Sequence, residues 1–467
     1  MAIEGSRTPE EAAVRLFARV AASVPAYRTF LAEHGVDAAA VTTHADFARL
    51  PLIDKPGYLH RYPLPELCRD GRLGDLIALS SGSTGEPTPW PRTLADERVT
   101  GERFEQIFRD GFDARTRSTL AVVCFTLGTW VGGLYTLGCV RQLGDRYRVT
   151  AVAPGNDTEE IMRALTRLGP LFDQVVLLGY PPFLKDVIDR GRAAGVDWAR
   201  YRIKLVTAGE VFSEQWRTLV AQRACMDDPV RDIASLYGTA DAGVLGNETP
   251  LSVAIRRFLA DRPDAARELF GSSRLPTLVQ YDPYRRFFEE IDGTLVFSGD
   301  SGVPLIRYHI ADEGGLIAHH RMLNFLAGHG FRPTPDTPEL PFVYVFGRSR
   351  FIVSFYGANI YPENVTVGLE QPSVCDEVTG KFVLQVDEDA DRDRHLTIDV
   401  ELAPEATATP ELADRVAESI RRELIRLNSE FAHYVPPHRQ HPQVRLRRHA
   451  DPAHFPPGVK HRYTRAE

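Results

Sequence analysis

The 467-residue sequence is poor in cysteine and has fewer positive than negative charges, and both features limit what the protein can be. Its five scattered cysteines form no CxxC pair, which argues against a disulfide framework and a structural zinc site and favours a reducing cytoplasm. The net charge is -8 at pH 7, so we expect no nucleic-acid partner, which would require a basic face. The length and a hydrophobic fraction of 43% predict two or more domains with large cores.

Long apolar runs are also lacking, with one exception at residues 119–140. This stretch carries no charge and is long enough to span a bilayer, but four glycines interrupt it. We therefore predict a buried strand followed by a buried helix, and no membrane contact. The N-terminus has no apolar segment of the kind that a signal peptide requires, so the expected compartment is the cytoplasm.

Short runs rich in Val, Ile and Leu alternate with helical patterns after about residue 76, which is typical of parallel strands joined by crossover helices. Such strands are predicted at 119–125, 174–178, 203–207 and 232–237. Antiparallel strands are predicted at 293–298, 342–346 and 351–355. Further strands at 381–386, 395–402 and 443–447 accompany a long helix from 410 to about 433. We predict an α/β fold: a large N-terminal domain (1–346) with mostly parallel sheets flanked by helices plus a small antiparallel part, and a small mobile α+β C-terminal domain (347–467).

The strongest local signal is the segment SSGSTGEPT at residues 80–88, directly after an apolar run. Glycines let backbone N–H groups approach an anion, and the hydroxyls add donors, so this loop can wrap a polyphosphate. It is not a Walker A loop, because no GK[ST] occurs. A Ser/Gly-rich surface turn is the alternative interpretation.

A second motif is YGTAD at residues 237–241, after a predicted strand. An aromatic ring beside a glycine can stack on a purine, and the carboxylate of Asp241 can hold Mg²⁺. A turn with a capping aspartate is the alternative.

A third motif is PLIRYHIAD at residues 304–312. The Asp312 carboxylate can accept two hydrogen bonds from a ribose diol. The alternative is a strand that ends in an aspartate turn.

The remaining motifs lie near the predicted domain boundary and the C-terminus. The segments GRSR (347–350) and GANIYP (357–362) bracket a predicted strand. Lys460 follows a glycine-containing segment in the tail, where a lysine is ordinarily solvated. Histidines are numerous there, but their spacings match no standard metal-ligand pattern.

In this order, the motifs resemble those of the adenylate-forming superfamily of acyl-CoA synthetases, adenylation domains and luciferases, and in particular its phenylacetate–CoA ligase-like branch. The segments VPAYR (24–28) and LPLIDK (50–55) are similar to the helical start of that branch, and 304–312 matches its PLIRYRTRD pattern. The resemblance covers essentially the whole chain. It implies an ATP-dependent ligase that activates a carboxylic acid as an acyl-AMP.

The resemblance also implies a role for each matching residue. Contacts with the β- and γ-phosphates of ATP are expected from Ser81, Gly82, Ser83, Thr84 and Gly85. The adenine pocket is expected to be formed by Ala208, Gly209, Glu210, Tyr237 and Gly238. The remaining positions are Asp241 for Mg²⁺ and catalysis, Asp312 and Arg348 for the ribose, Arg350 for the hinge and Lys460 for the catalytic lysine. The walls of the acid pocket are expected from Phe125, Trp130, Tyr135 and Tyr180.

Three positions depart from the family pattern. Glu86 stands where the phosphate loop usually has lysine, Asp241 where the metal position usually has glutamate, and Arg350 where the hinge usually has aspartate or lysine. We expect the chain to use ATP, Mg²⁺ and a small aromatic or cyclic carboxylic acid, with CoA as acceptor. The alternatives are an amine or a carrier-protein thiol as acceptor, or a catalytically silent nucleotide-binding protein.

Overall fold

The computed structural model describes residues 7–80, 88–272, 274–333, 338–348, 353–451 and 454–455. The helices are α1 Pro9–Ser23, α2 Pro25–Glu33, α3 His44–Phe47, α4 Leu94–Asp110, α5 Val131–Arg141, α6 Thr158–Leu168, α7 Pro181–Ala193, α8 Glu214–Arg223, α9 Pro229–Asp232, α10 Pro250–Ala260, α11 Pro263–Phe270, α12 His319–Gly328, α13 Pro362–Leu369, α14 Pro410–Leu427 and α15 Ser429–Tyr434. The strands are β1 Leu76–Ser80, β2 Thr88–Arg92, β3 Thr119–Val123, β4 Val149–Val152, β5 Gln174–Gly179, β6 Ile203–Ala208, β7 Ile233–Thr239, β8 Gly243–Asn247, β9 Thr277–Gln280, β10 Arg286–Ile291, β11 Thr294–Gly299, β12 Leu305–Ile317, β13 Phe342–Arg348, β14 Val353–Phe355, β15 Ala358–Ile360, β16 Val378–Glu388, β17 Arg394–Leu402 and β18 Gln443–Arg447.

The chain divides into two compact units. The first consists of Met1–Leu79, Pro89–Gly179 and Val187–Gly347. The second consists of Ser80–Thr88, Tyr180–Asp186 and Arg348–Glu467. The second unit therefore takes most of its residues from the C-terminal end, and two short earlier segments belong to it. The functional division into domains 1–346 and 347–467 stays a prediction.

An eleven-stranded sheet forms the frame of the first unit, in the order β10-β11-β12-β13-β9-β8-β7-β6-β5-β3-β4. The strands β4, β3, β5, β6 and β7 pair in parallel, and β3 and β5 are buried along their whole length, as expected for strands covered on both faces. From β7 to β8 the pairing becomes antiparallel. The predicted α/β fold class is confirmed, and its antiparallel part is continuous with the parallel sheet.

The apolar stretch at 119–140 folds as the sequence predicts. Its first part is the fully buried strand β3, and its second part lies in the helix α5, whose buried residues include Tyr135 and Cys139. Within the described residues, the structure contains no helix with the length and hydropathy needed to cross a bilayer.

The segment before Lys55 is held against β12 by main-chain hydrogen bonds. The N–H of Ile53 donates to the carbonyl of Arg307 over 3.1 Å, and the N–H of His309 donates to the carbonyl of Ile53 over 2.9 Å. A single π-helical turn, Lys55–Leu59, follows directly, and π-helical turns are frequent at functional sites. The N-terminal region therefore delivers Lys55 next to the strand that carries Asp312.

The second unit contains the three-stranded sheet β16-β17-β18 and the helices α13 to α15. The predicted helix from 410 to about 433 is interrupted, because α14 ends at Leu427 and α15 begins at Ser429. The Asn428 side chain accepts a hydrogen bond from the N–H of Phe431 and donates one to the carbonyl of Asn359. An asparagine that bonds to nearby backbone in this way competes with helix continuation, which explains the break.

Candidate active site

Two of the predicted nucleotide segments meet at one edge of the large sheet. The strands β6 and β7 are parallel neighbours, with Ala208 opposite Leu236. The segments Ala208-Gly209-Glu210 and Tyr237-Gly238 therefore lie side by side at the carboxyl ends of these strands. Ligands of open α/β sheets bind at this edge. Gly238 is required by space, since a Cβ there would lie 2.6 Å from the carbonyl oxygen of Gly243. The backbone is therefore packed closely where the sequence predicts a bound nucleotide.

The strand β12 bends twice but does not end at Asp312. Arg307 and Ala311 have positive φ angles of 49° and 62°, which residues other than glycine rarely adopt. The register with β11 shifts at both places, as expected for β-bulges, and the strand continues to Ile317. The alternative of a strand that ends in an aspartate turn is thus wrong. Each bend comes directly before a residue of the candidate site, Tyr308 and Asp312.

Two tyrosine–aspartate pairs connect the second and third motifs in a crossed arrangement. The hydroxyl of Tyr237 donates to Oδ2 of Asp312 over 2.7 Å. The hydroxyl of Tyr308 donates to Oδ2 of Asp241 over 2.5 Å. All four side chains are buried, at 7% exposure or less. Each motif therefore supplies the phenol that holds the carboxylate of the other; below we call these four residues the crossed pairs.

Lys55 brings a positive charge to the crossed pairs. Its ammonium lies 3.2 Å from Oδ1 of Asp241 and 5.6 Å from the ring centroid of Trp90, which is on β2. The Lys55 side chain is 30% exposed, whereas that of Asp241 is 3% exposed. The cation is therefore accessible from solvent while its partner is buried. Sequence reasoning used Lys55 only as a mark of resemblance; its position in the LPLIDK segment was the signal that could have identified it.

Three of the four predicted acid-pocket aromatics, Phe125, Trp130 and Tyr135, are buried in the first unit. The Tyr135 hydroxyl is 2.9 Å from Oγ1 of Thr100, and burial raises the pKa of Tyr135 above its usual value. Tyr180 belongs to the second unit, where its ring stacks on that of Tyr434 with centroids 5.3 Å apart. The assignment of these four residues to an acid pocket stays a prediction.

A closed ionic network lies behind the strands that carry Tyr237. Glu248 is 1% exposed, and its carboxylate accepts hydrogen bonds from Arg217, Arg256 and the N–H of Ser235 at 2.8 to 3.1 Å. Arg256 also donates to the carbonyl of Phe212 over 2.8 Å. The network thus connects Ser235 on β7 with Phe212, two residues after the Ala208-Gly209-Glu210 segment. Both segments of the predicted adenine pocket are therefore held by the same set of hydrogen bonds.

Several predicted residues lie outside the described part of the chain. They are the phosphate-loop residues Ser81, Gly82, Ser83, Thr84 and Gly85, the hinge residue Arg350 and the catalytic-lysine candidate Lys460. Arg348 is the last residue of β13, but only its backbone is described. Their roles stay predictions.

Comparison with known proteins points to one group of enzymes. A phenylacetate–coenzyme A ligase of Aromatoleum evansii is 22% identical over 420 residues, which cover 86% of this chain and 83% of that protein. A second phenylacetate–coenzyme A ligase, from Thermus thermophilus, is 24% identical over 359 residues, or 76% of this chain and 73% of that protein. No protein-family model matches the sequence.

Among solved structures, 2-hydroxyisobutyryl-CoA ligase in complex with 2-HIB-AMP and CoA has a TM-score of 0.67 and 15% identity, covering 99% of this chain and 90% of that chain. At this identity the match concerns the fold, which agrees with the sheet described above. The sequence relatives, the fold and the order of the motifs lead to the same assignment. These findings support an adenylate-forming ligase that is similar to the phenylacetate–CoA ligases.

Proposed function

We propose that this ligase activates a small aromatic or cyclic carboxylic acid with ATP and transfers the acyl group to CoA. In the first step a carboxylate oxygen bonds to the α-phosphorus of ATP while the bond from that phosphorus to pyrophosphate breaks. In the second step the thiol sulfur of CoA bonds to the acyl carbon, AMP leaves and the thiol proton is released. The observation that carries the proposal is the set of crossed pairs, in which two motifs predicted to bind the nucleotide contact each other through buried hydrogen bonds.

The crossed pairs and Lys55 suit a nucleotide. Asp312 offers a carboxylate for a ribose diol, and the Tyr237 hydroxyl fixes its orientation from the protein side. Ala208, Gly209, Glu210 and Gly238 would line the adenine at the same sheet edge. Lys55 supplies a cation beside Asp241, where two anions, the acid and the α-phosphate, must approach each other.

The donor set around Asp241 is compatible with Mg²⁺. Mg²⁺ in nucleotide sites is held by one or two carboxylates together with phosphate oxygens and water, and Asp241 provides one such carboxylate. The Tyr308 hydroxyl and the Lys55 ammonium fix that carboxylate, each at one oxygen. When bound, Mg²⁺ would neutralise phosphate charge in the first step.

We further propose that residues 1–346 hold ATP and the acid and that 347–467 carry Lys460. A lysine on a small domain that closes over the nucleotide would complete the positive charge of the first step, and Arg350 would serve as the hinge. Arg348 would assist Asp312 at the ribose. The Ser81 to Gly85 loop would hold the β- and γ-phosphates through its backbone N–H groups.

The test is pyrophosphate release with ATP and Mg²⁺ over a panel of aryl, cyclic and small alkyl acids, with and without CoA. Acid-dependent release, with acyl-CoA formed only when CoA is present, supports the proposal. Acid-dependent release without a thioester keeps the adenylation step and refutes CoA as the acceptor, so an amine or a carrier-protein thiol would be tested next. No release with any acid contradicts the proposal.

Lys460→Ala tests the catalytic lysine in the same assay. We expect acyl-AMP formation to slow by ~10²–10³, the usual cost of removing a group that stabilises transition-state charge. Transfer to CoA from supplied acyl-AMP should be almost unchanged. Lys381→Ala is the matched control, because Lys381 is half-exposed and pairs with Glu401 on β17. Normal acyl-AMP formation by Lys460→Ala would show that the assignment is wrong.

A further inference from the structure

The turn at residues 240–242, which joins β7 to β8, accepts hydrogen bonds from a buried guanidinium. Arg92, the last residue of β2, is 1% exposed. Its Nη2 atom donates to the carbonyl of Ala240, and both of its terminal nitrogens lie 3.4 Å from the carbonyl oxygen of Asp241. Two successive carbonyls of the turn are therefore held by one side chain.

A second buried guanidinium holds the next carbonyl. Arg286, the first residue of β10, is 4% exposed, and its Nη2 lies 3.5 Å from the carbonyl oxygen of Ala242. Its Nη1 donates to the carbonyl of Asp300 over 3.1 Å, which anchors the side chain to the residue directly after β11. Arg92 and Arg286 thus come from different strands and meet the turn together; we call them the arginine clamp.

The clamp is costly for the fold. Burial lowers the pKa of Arg286, and the nearby charge of Arg92 lowers it further. Among the described residues, the Nε atoms of both arginines are buried and have no hydrogen-bond partner. The neighbouring acid, Asp96, is itself committed to the N–H groups of Thr93 and Gly302. Buried charges that face neutral carbonyls are poor sources of stability, which points to a positional role.

We propose that Arg92 and Arg286 are positioning residues that fix the 240–242 turn so that the Asp241 carboxylate is presented to Mg²⁺ and the phosphates. The inference rests on the proposed function, because it assumes that Asp241 meets the metal–nucleotide complex. The clamp holds the main chain on both sides of Asp241, while Tyr308 and Lys55 hold its side chain. Loosening the turn should therefore weaken the metal-dependent part of nucleotide binding and leave the adenine and ribose contacts in place.

The experiment is calorimetry of ATP binding to the full chain, with Mg²⁺ and with EDTA. The quantity measured is the metal ratio, the dissociation constant in EDTA divided by that in Mg²⁺. For Arg92→Met we expect the ratio to fall about tenfold, because charge-assisted hydrogen bonds to the turn are lost, with little change in EDTA. Arg286→Met should also lower the metal ratio. The metal ratio of Arg92→Lys should lie between those of the unmodified protein and Arg92→Met, since an ammonium cannot bond to two carbonyls in the way that a planar guanidinium can.

Two controls separate positioning from stability. Met322→Ala opens a cavity in a separate core cluster around α12 and should lower the melting temperature without changing the metal ratio. In an Asp241→Asn background, Arg92→Met should have no further effect on the ratio, because the two changes act through one carboxylate.

The outcomes are distinct. An unchanged metal ratio in Arg92→Met, with a lowered melting temperature, would show that the clamp only supports packing and would overturn the inference. An unchanged ratio in Asp241→Asn would remove the metal role of Asp241 and the inference with it. The expected ratios in a protein that releases no pyrophosphate with any acid would support the clamp and refute the proposed reaction.

Discussion

Replacing Tyr237 by phenylalanine removes one hydroxyl and leaves the ring in place. That hydroxyl donates to Oδ2 of Asp312 over 2.7 Å, and the ring packs against Phe288 with centroids 6.4 Å apart. The variant therefore keeps the apolar contacts and loses one of the crossed pairs. In the proposed function Asp312 holds the ribose, so we expect ATP to bind more weakly when this carboxylate loses the hydrogen bond that orients it.

The size of the effect follows from the burial of the pair. A hydrogen bond to a charged group contributes about 1.5–3 kcal/mol. Tyr237 and Asp312 are 7% and 4% exposed, so water has little access to replace the lost donor. With 1.4 kcal/mol for each factor of ten, the dissociation constant of ATP should rise roughly 10–100-fold. The turnover number at saturating ATP should change much less, since the contact is made before and during the reaction.

The assay compares ATP with 2′,3′-dideoxy-ATP by calorimetry. The unmodified protein should discriminate strongly against the dideoxy nucleotide, because the Asp312 carboxylate would lose its ribose partners. Tyr237→Phe should narrow that discrimination, since ATP binding is weakened and dideoxy-ATP binding is not. Steady-state kinetics should show the same change as an increased KM for ATP.

Tyr308→Phe is the matched control, because it removes the same atom from the other crossed pair. It should leave the discrimination against dideoxy-ATP intact and change the Mg²⁺ dependence instead. Tyr284→Phe controls for the loss of a phenol hydroxyl outside the crossed pairs, because the Tyr284 hydroxyl donates to the carbonyl of Arg7. The reasoning is refuted if Tyr237→Phe weakens ATP and dideoxy-ATP equally, or leaves both unchanged.

Three further predictions concern stability and reactivity. Glu248→Gln should lower the free energy of unfolding by about 3–5 kcal/mol in urea titrations, because the two buried arginines that share Glu248 and Glu214 would keep only the Glu214 carboxylate and one positive charge would be left uncompensated; a change below about 1 kcal/mol would contradict this. At pH 8 a thiol reagent should modify the two exposed cysteines quickly and spare Cys68, because burial raises the pKa of Cys68 to about 11; mass spectrometry of digests would detect any third early label. The hydroxyl and N–H of Ser118 lower the pKa of Asp173 in the folded protein. The stability that these hydrogen bonds contribute is therefore fully present above the pKa of the unfolded state, about 3.9, and is lost as the pH falls through the lower pKa of the folded state. Ser118→Ala should remove part of this acid dependence below pH 4 in urea midpoints measured from pH 7 to 2.5, and identical profiles for both proteins would refute it.

Much of the fold follows from local sequence patterns. The strands β3, β5, β6 and β7 are predictable because each contains a short apolar run with Val, Ile or Leu that is followed by glycine, proline or a helical pattern. The strands β2 and β8 were missed because prolines in the first and glycines in the second are depleted in strands. Their place in the structure depends on pairing with neighbours, which local propensity does not encode.

The geometry of the site was harder to predict than its residues. Asp241, Tyr237 and Asp312 were identified by motif, but their crossed partners depend on the bends at Arg307 and Ala311. Positive φ angles outside glycine are rare, so no sequence rule predicts them there. The contact of Lys55 with Asp241 spans 186 positions of the chain, and only the packing of the N-terminal segment on β12 brings them together.

The crossed pairs also constrain how the sequence can change during evolution. A chimaera that takes residues 237–241 from one homologue and 304–312 from another keeps both hydrogen bonds only when the tyrosine from each parent can donate to the carboxylate from the other parent. The two segments should therefore be inherited together, although the 62 residues 242–303 lie between them. In a recombination library, crossovers within that gap should be depleted among folded, nucleotide-binding survivors.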